Sequence, residues 1–150
     1  MTRLLIVAHE PLASALREVA RHTFPDCASR LEALDVTPDM SPESVQDAAR
    51  ERLARLGDGD VLVLTDVFGA TPCNAVQRVA EGQHVRVVAG VNVPMLWRAL
   101  CYADEPVDTL VARAMAGATQ GVMQASPTPP QHQARSAPEA DAQSLRHDQQ

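Results

Sequence analysis

The chain of 150 residues contains no lysine; all thirteen of its basic residues are arginine. Any mechanism that needs a catalytic or phosphate-clamping lysine is therefore excluded. Aromatic residues are scarce at 3% while apolar residues reach 45%, so the core has to be aliphatic, built from Leu, Val, Ala and Met. The cysteines Cys27, Cys73 and Cys101 are odd in number and widely spaced, with no Cys-x-x-Cys and no Cys/His pair that would suggest a metal site. Reduced thiols in a cytoplasmic protein are the simplest expectation. No apolar run approaches the length needed to span a membrane, and the strand-like opening reads as part of the fold, with no signal peptide expected before it. A net charge of −6 without any basic run argues against nucleic-acid binding. One domain is the default for this length, large enough for a core without disulfide staples.

What is present is a sequence of alternating strand and helix signals. Leu4 to Ala8 is a buried apolar run that ends on His9 and is followed by Glu10 and Pro11. A strand covered on both faces of a parallel sheet reads this way. From Pro11 to about His22, Leu12, Leu16, Val19 and Ala20 recur at helical spacing, and Phe24-Pro25-Asp26 breaks the pattern. Leu31 to Val36 alternates as a shorter strand near a sheet edge. Ser41 and Pro42 supply an N-cap and a first helical residue, with Glu43 in the first turn and Gly57 and Gly59 as the stop. Val61 to Thr65 is a second buried strand, ending on Asp66. Thr71-Pro72 repeats the cap-plus-proline start, so Thr71 reads as the N-cap of a helix running to about Glu81. Val85 to Ala89 is the fourth strand, and helices follow from Pro94 to about Tyr102 and from Pro106 to about Met123, the last with Val122 facing inward.

Residues 126–150 hold four prolines and five glutamines and almost no large apolar side chains. Such a stretch cannot bury enough surface to offset the entropy of ordering, which predicts a disordered Pro/Gln/Ala-rich tail and a folded unit of residues 1–125.

Short loops between alternating strands and helices predict a doubly wound α/β fold: a mainly parallel four-stranded sheet, order 2-1-3-4, with helices on both faces. In that order the carboxyl ends of the first and third strands are neighbours, which brings His9 beside Asp66. A carboxylate that accepts one ring N–H fixes the imidazole tautomer and leaves the other nitrogen free to attack. Gly69-Ala70-Thr71-Pro72 adds a tight turn, a hydroxyl and the free N–H groups of a helix start, a set suited to a phosphoryl group. Each piece also has a plainer role. His9 alone would bond a loop carbonyl, Asp66 would cap a turn, and Gly69 and Gly90 would supply permissive backbone. Glu10 would be a first-turn acid favoured by the helix dipole, and Cys73 would be packed in the core.

Taken together, the strand ending in His9, the motif Asp66-Val-Phe-Gly69-Ala70-Thr71-Pro72-Cys-Asn74 and the motif Ala89-Gly90-Val-Asn92-Val-Pro94-Met95-Leu96 resemble the mannose-family EIIA domain of the bacterial sugar phosphotransferase system. The family shows Asp-x-x-Gly-Gly-Ser/Thr-Pro-x-Asn and Gly-Val-Asn-x-Pro-Met-Leu, and the match covers nearly all of residues 1–125 in order. The resemblance implies a homodimeric phosphocarrier that takes a phosphoryl group from phospho-HPr on His9 and passes it to a histidine of an EIIB-type partner, in sugar uptake or in a regulatory relay. It implies Asp66 as the residue orienting His9, Thr71 with Gly69 beside the phosphate, and no nucleotide, metal or other cofactor. Ala8 and Glu10 depart from the Thr/Ser and Gly that commonly flank the family's histidine.

Three rivals share the fold class. A receiver domain needs an acidic pair after the first strand and a lysine after the fifth, and this chain offers His9-Glu10 and no lysine. The phosphotransferase subunit of dihydroxyacetone kinase begins with a similar strand and histidine but carries a shorter, serine-rich loop after the third strand. A non-catalytic interaction module would keep the fold without using the trio His9, Asp66 and Thr71.

Overall fold

The computed structural model describes residues 1–126. The expectation for the Pro/Gln/Ala-rich tail lies almost entirely outside the described residues. Four strands, β1 (Arg3–His9), β2 (Leu31–Val36), β3 (Val61–Thr65) and β4 (Val85–Ala89), form one parallel sheet in the order β2-β1-β3-β4. Five helices connect and cover them: α1 (Leu12–Thr23), α2 (Pro42–Leu56), α3 (Thr71–Ala80), α4 (Val93–Cys101) and α5 (Val107–Gln120). A short 3-10 turn at Pro25–Ser29 fills the break after α1, where the sequence suggests only an interruption.

Side-chain alternation along the central strands explains why they read as unbroken apolar runs. Leu4, Ile6 and Ala8 of β1 join Leu62 and Leu64 of β3 in a layer with α1, α4 and α5. Leu5 and Val7 join Val61 and Val63 in the opposite layer, under α2 and α3. Both faces are covered, so a polar residue in the middle of either strand would have no water to meet. The layers are aliphatic, as the shortage of aromatics requires.

The helix ends follow local chemistry. Ser41 Oγ accepts the Ser44 N–H at 3.1 Å, Pro42 opens α2, and Gly57 stops it at φ 83°. Asn92 caps α4 by accepting the Met95 N–H at 2.9 Å, and its amide donates to the Ala118 carbonyl at 3.2 Å. One side chain thus fixes the start of α4 against the end of α5.

Three local expectations are corrected. Thr71 is not a cap: α3 begins with it, Ala70 occupies the cap position, and no side chain caps the helix. Glu10 is not a first-turn acid, because α1 starts at Leu12 after a cis Glu10–Pro11 peptide and its first turn holds no acidic residue. Val122 lies beyond the end of α5 and is 76% exposed, because the helix stops at Gln120 before the apolar spacing runs out.

Candidate functional site

The carboxyl ends of β1 and β3 meet as the strand order requires. Val7 is in register with Thr65, so the residues just beyond, His9 and Asp66, emerge side by side at the same sheet edge. Asp66 Oδ2 lies 2.6 Å from His9 Nδ1 and accepts the His9 backbone N–H at 3.0 Å. Its Oδ1 accepts the Val67 N–H at 3.0 Å. Both carboxylate oxygens are therefore committed, and the side chain cannot swing away without breaking three bonds.

Burial at the sheet edge raises the Asp66 pKa, but the His9 amide, the His9 ring and the Val67 amide outweigh it, and the net displacement is below the ordinary value of 3.8. At neutral pH the group is a carboxylate and acts as an acceptor only. His9 Nδ1 must then be the protonated nitrogen, which leaves the lone pair on Nε2. The imidazole is open to solvent, with 54% of its side chain exposed against 13% for Asp66. An oriented imidazole with an unprotonated ring nitrogen on the surface can act as a nucleophile, and the carboxylate behind it would stabilise the positive charge the ring acquires.

Gly69 and Thr71 stand at the same edge without hydrogen-bonding to His9 or Asp66. Gly69 adopts φ 87°, which turns the chain sharply from β3 toward α3, and its carbonyl accepts from the Asn74 amide at 3.0 Å. A side chain at Gly69 would be strained by that backbone angle, although the space around it is empty. Because α3 lacks a side-chain cap and Pro72 carries no N–H, the Thr71 and Cys73 amides are the ones left for a ligand at this helix start. With the exposed Thr71 hydroxyl, they form a place where an anion is favoured by the helix dipole.

A further feature of this edge escapes sequence reasoning. Asp35, at the end of β2, accepts the Ser14 N–H at 3.0 Å and the Ser14 hydroxyl at 2.5 Å. It serves the first turn of α1 from a neighbouring strand, in place of a local cap, which Pro11 cannot provide. A carboxylate ending an edge strand was the available signal, but only the strand pairing reveals its target. On the open side of the site, Val67 and Phe68 project into solvent, with Phe68 76% exposed.

Two grooves lie in the molecule, but not around the His9–Asp66 pair. One of about 380 Å³ sits at the amino ends of the strands, lined among others by Arg50, Leu53, Gly57, Val79 and His84. A second, of about 300 Å³, runs between α2 and α3 and touches Thr71. Neither contains His9 or Asp66. Among the described residues no group of three or more His, Cys, Asp or Glu side chains is placed to hold a metal ion, and no helix is long and apolar enough to cross a membrane.

Comparison with known proteins decides the family. The family described as the PTS system fructose IIA component, EIIA-man, matches residues 3–115. The chain belongs to the mannose-type EIIA family. The fructose-specific EIIA component of Bacillus subtilis is 30% identical over 102 residues, covering 67% of this chain and 69% of that protein. The mannose-specific EIIAB component of Escherichia coli K12 is 36% identical over 113 residues, which is 73% of this chain and 35% of that protein. The chain thus spans about a third of the length of that curated relative. Among solved structures, the mannose/sorbose-specific IIA subunit from Enterococcus faecalis superposes with a TM-score of 0.78 at 23% identity, over 86% of this chain and 98% of that one. That likeness extends the family's α/β architecture to the whole described EIIA unit.

Proposed function

We propose that this EIIA protein is a phosphocarrier of the sugar phosphotransferase system, acting in the cytoplasm as a homodimer. His9 receives a phosphoryl group from phospho-HPr and passes it to a histidine of an EIIB-type partner. The single observation that carries this reading is the pairing of His9 Nδ1 with Asp66 at 2.6 Å beneath an imidazole that is 54% exposed. A nucleophile on an open surface suits a donor that is itself a protein and brings its own phosphorylated side chain. An enclosed small substrate would need a cavity around the reacting atom.

In the forward step the Nε2 lone pair of His9 forms the new N–P bond while the donor's N–P bond breaks, and the donor imidazole keeps the electron pair. The Nδ1 proton stays on His9, held by Asp66, which offsets the positive charge spread over the ring. The Thr71 and Cys73 N–H groups at the start of α3, with the Thr71 hydroxyl and the turn at Gly69, receive the equatorial oxygens, whose charge is greatest in the transition state. The second transfer reverses these movements toward the acceptor histidine. No nucleotide, metal or other cofactor is required, since the energy of the P–N bond is carried from donor to acceptor.

The test is incubation with phosphoenolpyruvate, enzyme I and HPr, followed by intact-mass measurement. One acid-labile phosphate is expected on the wild-type chain and none on His9→Ala. An unmarked wild type, or a mark that survives in the variant, removes the assignment.

A further inference from the structure

The proposal that follows rests on the phosphocarrier reading and concerns what its protein partner must bring. Phosphoryl transfer between two imidazoles gathers negative charge on three oxygens, and a positive group normally stands nearby to neutralise it. The segments that surround His9 supply none. The loops at the carboxyl edge of the sheet, residues 10–11, 37–41, 66–70 and 90–92, contain no arginine, and neither do the first turns of α1, α2, α3 and α4. Lysine is missing altogether. Five arginines are ion-paired elsewhere, Arg21 with Glu18, Arg50 with Asp47, Arg55 with Glu51, Arg86 with Asp108 and Arg113 with Glu105, and Arg78 lies further along α3 in the groove that touches Thr71.

The edge carries carboxylates. Asp66 is consumed by His9, Asp35 by Ser14, and Asp39 by the Thr37 hydroxyl. Glu10 differs from these three. It adjoins the nucleophile, is exposed, and makes no side-chain hydrogen bond or ion pair among the described residues. Its backbone is nonetheless held, since its N–H donates to the Val36 carbonyl at 2.9 Å and Pro11 follows. The residue is thus held next to His9 with an exposed carboxylate that no partner neutralises, and a negative charge at that place by itself opposes an incoming phosphoryl group.

We infer that Glu10 is a specificity-determining residue: it pairs with an arginine or lysine that the phosphoryl-donor protein presents beside its own phosphohistidine. The pairing places the missing cation next to the transferring group, and it penalises a donor that arrives without one. Glu10 therefore turns the lack of a local cation into a criterion for choosing the partner.

The experiment compares two donors on the full chain, with the wild type, Glu10→Gln and Glu10→Asp. One donor is phospho-HPr, the other phosphoramidate, a small P–N compound with no basic surface. Initial rates of His9 phosphorylation are followed by intact mass against donor concentration and salt. With phospho-HPr at low salt, Glu10→Gln is expected to raise KM about fivefold with kcat nearly unchanged, as for loss of a rim ion pair. The gap should close as salt is raised, and Glu10→Asp should restore most of the affinity. With phosphoramidate the sign reverses, and Glu10→Gln accepts phosphate faster than the wild type. An unchanged or lowered KM for phospho-HPr in Glu10→Gln, or a rise indifferent to salt, overturns the pairing while leaving the phosphocarrier reading intact whenever His9 is still marked. Marking by phosphoramidate with none by phospho-HPr overturns both the donor and the role of Glu10. Failure of both donors to mark wild-type His9 removes the phosphocarrier reading and Glu10 with it.

Discussion

The same four strands end in two very different surfaces. At their amino ends, the nearby ionic contacts are loose or open to solvent: His84 and Asp60 lie 3.7 Å apart, and Arg86 meets Asp108 at 2.9 Å with both side chains exposed. At their carboxyl ends, polar side chains are drawn into short, directional contacts between elements, His9 with Asp66 and Ser14 with Asp35. The contrast follows from the parallel sheet. Helices α1 to α4 start at the carboxyl edge, so helix N-termini and the carboxylates that serve them collect there, and these four helices finish at the amino edge, where arginine complements the dipole; α5 runs the opposite way. One edge is organised to orient groups. The other tolerates loose charge.

The strands between the two edges should yield the largest effect. Leu62 is fully buried in the layer under α1, α4 and α5, and its truncation in Leu62→Ala is expected to cost about 2–5 kcal/mol by denaturant unfolding. Residual folded protein should still phosphorylate His9 at the normal rate per folded molecule. Asp66→Asn makes the opposite separation. It should keep the fold at a modest cost in stability, since an amide has one acceptor oxygen where the carboxylate serves three N–H groups, while slowing transfer on the order of a hundredfold, because the amide no longer fixes the Nδ1–H tautomer.

The same variant carries a pH signature. The Asp66 carboxyl sits below its ordinary value of 3.8 in the folded state. A group with a depressed folded pKa adds stability that is present above its unfolded pKa and lost as pH falls through the folded one. The wild type should therefore lose this increment only below about pH 4, and Asp66→Asn should show a flatter acid limb in the same urea titration. A slope near neutral pH that disappears in the variant would assign the effect to another group.

Most of this architecture was legible in the sequence because it depends on local periodicity and on the two-sided burial of parallel strands. Leu4 to Ala8 and Val61 to Thr65 announce themselves by having no polar face, and the order 2-1-3-4 then makes His9 and Asp66 neighbours. The family motif supplied Gly69 and Thr71, although Thr71 proved to be the first helical residue and not its cap. The difference is one residue, and Ala70, which cannot cap with its side chain, leaves no local signal to mark it. Ser14 with Asp35 was invisible for another reason: the partners are 21 residues apart and meet only once β2 is docked on β1. The exposed end of α5 at Val122 fell outside the pattern because helical periodicity continues in the sequence past the point where packing against α4 stops.

That strand-to-helix contact gives a smaller effect that sharpens the comparison. Asp35→Ala removes both carboxylate acceptors of Ser14, leaving its hydroxyl only the Pro11 carbonyl at 3.2 Å, and should destabilise the protein by about 1 kcal/mol, the usual scale for losing an N-terminal cap. Asp35→Asn keeps one acceptor and should lose about half as much. Equal losses in the two variants would mean that charge at the start of α1, and not the hydrogen bonds, supplies the stabilisation.

The smallest effect is expected at the amino edge. Arg86→Gln breaks the contact with Asp108, in which the two side chains are 43% and 77% exposed. Water competes for both groups there, and holding two long side chains in one geometry costs entropy, so the loss should stay under about 1 kcal/mol and shrink further with added salt. His9 phosphorylation should not change. If Arg86→Gln instead slowed transfer as much as Asp66→Asn, the two ends of the sheet would be coupled through β4 and β3. The division between an orienting edge and a tolerant one would then have to be given up.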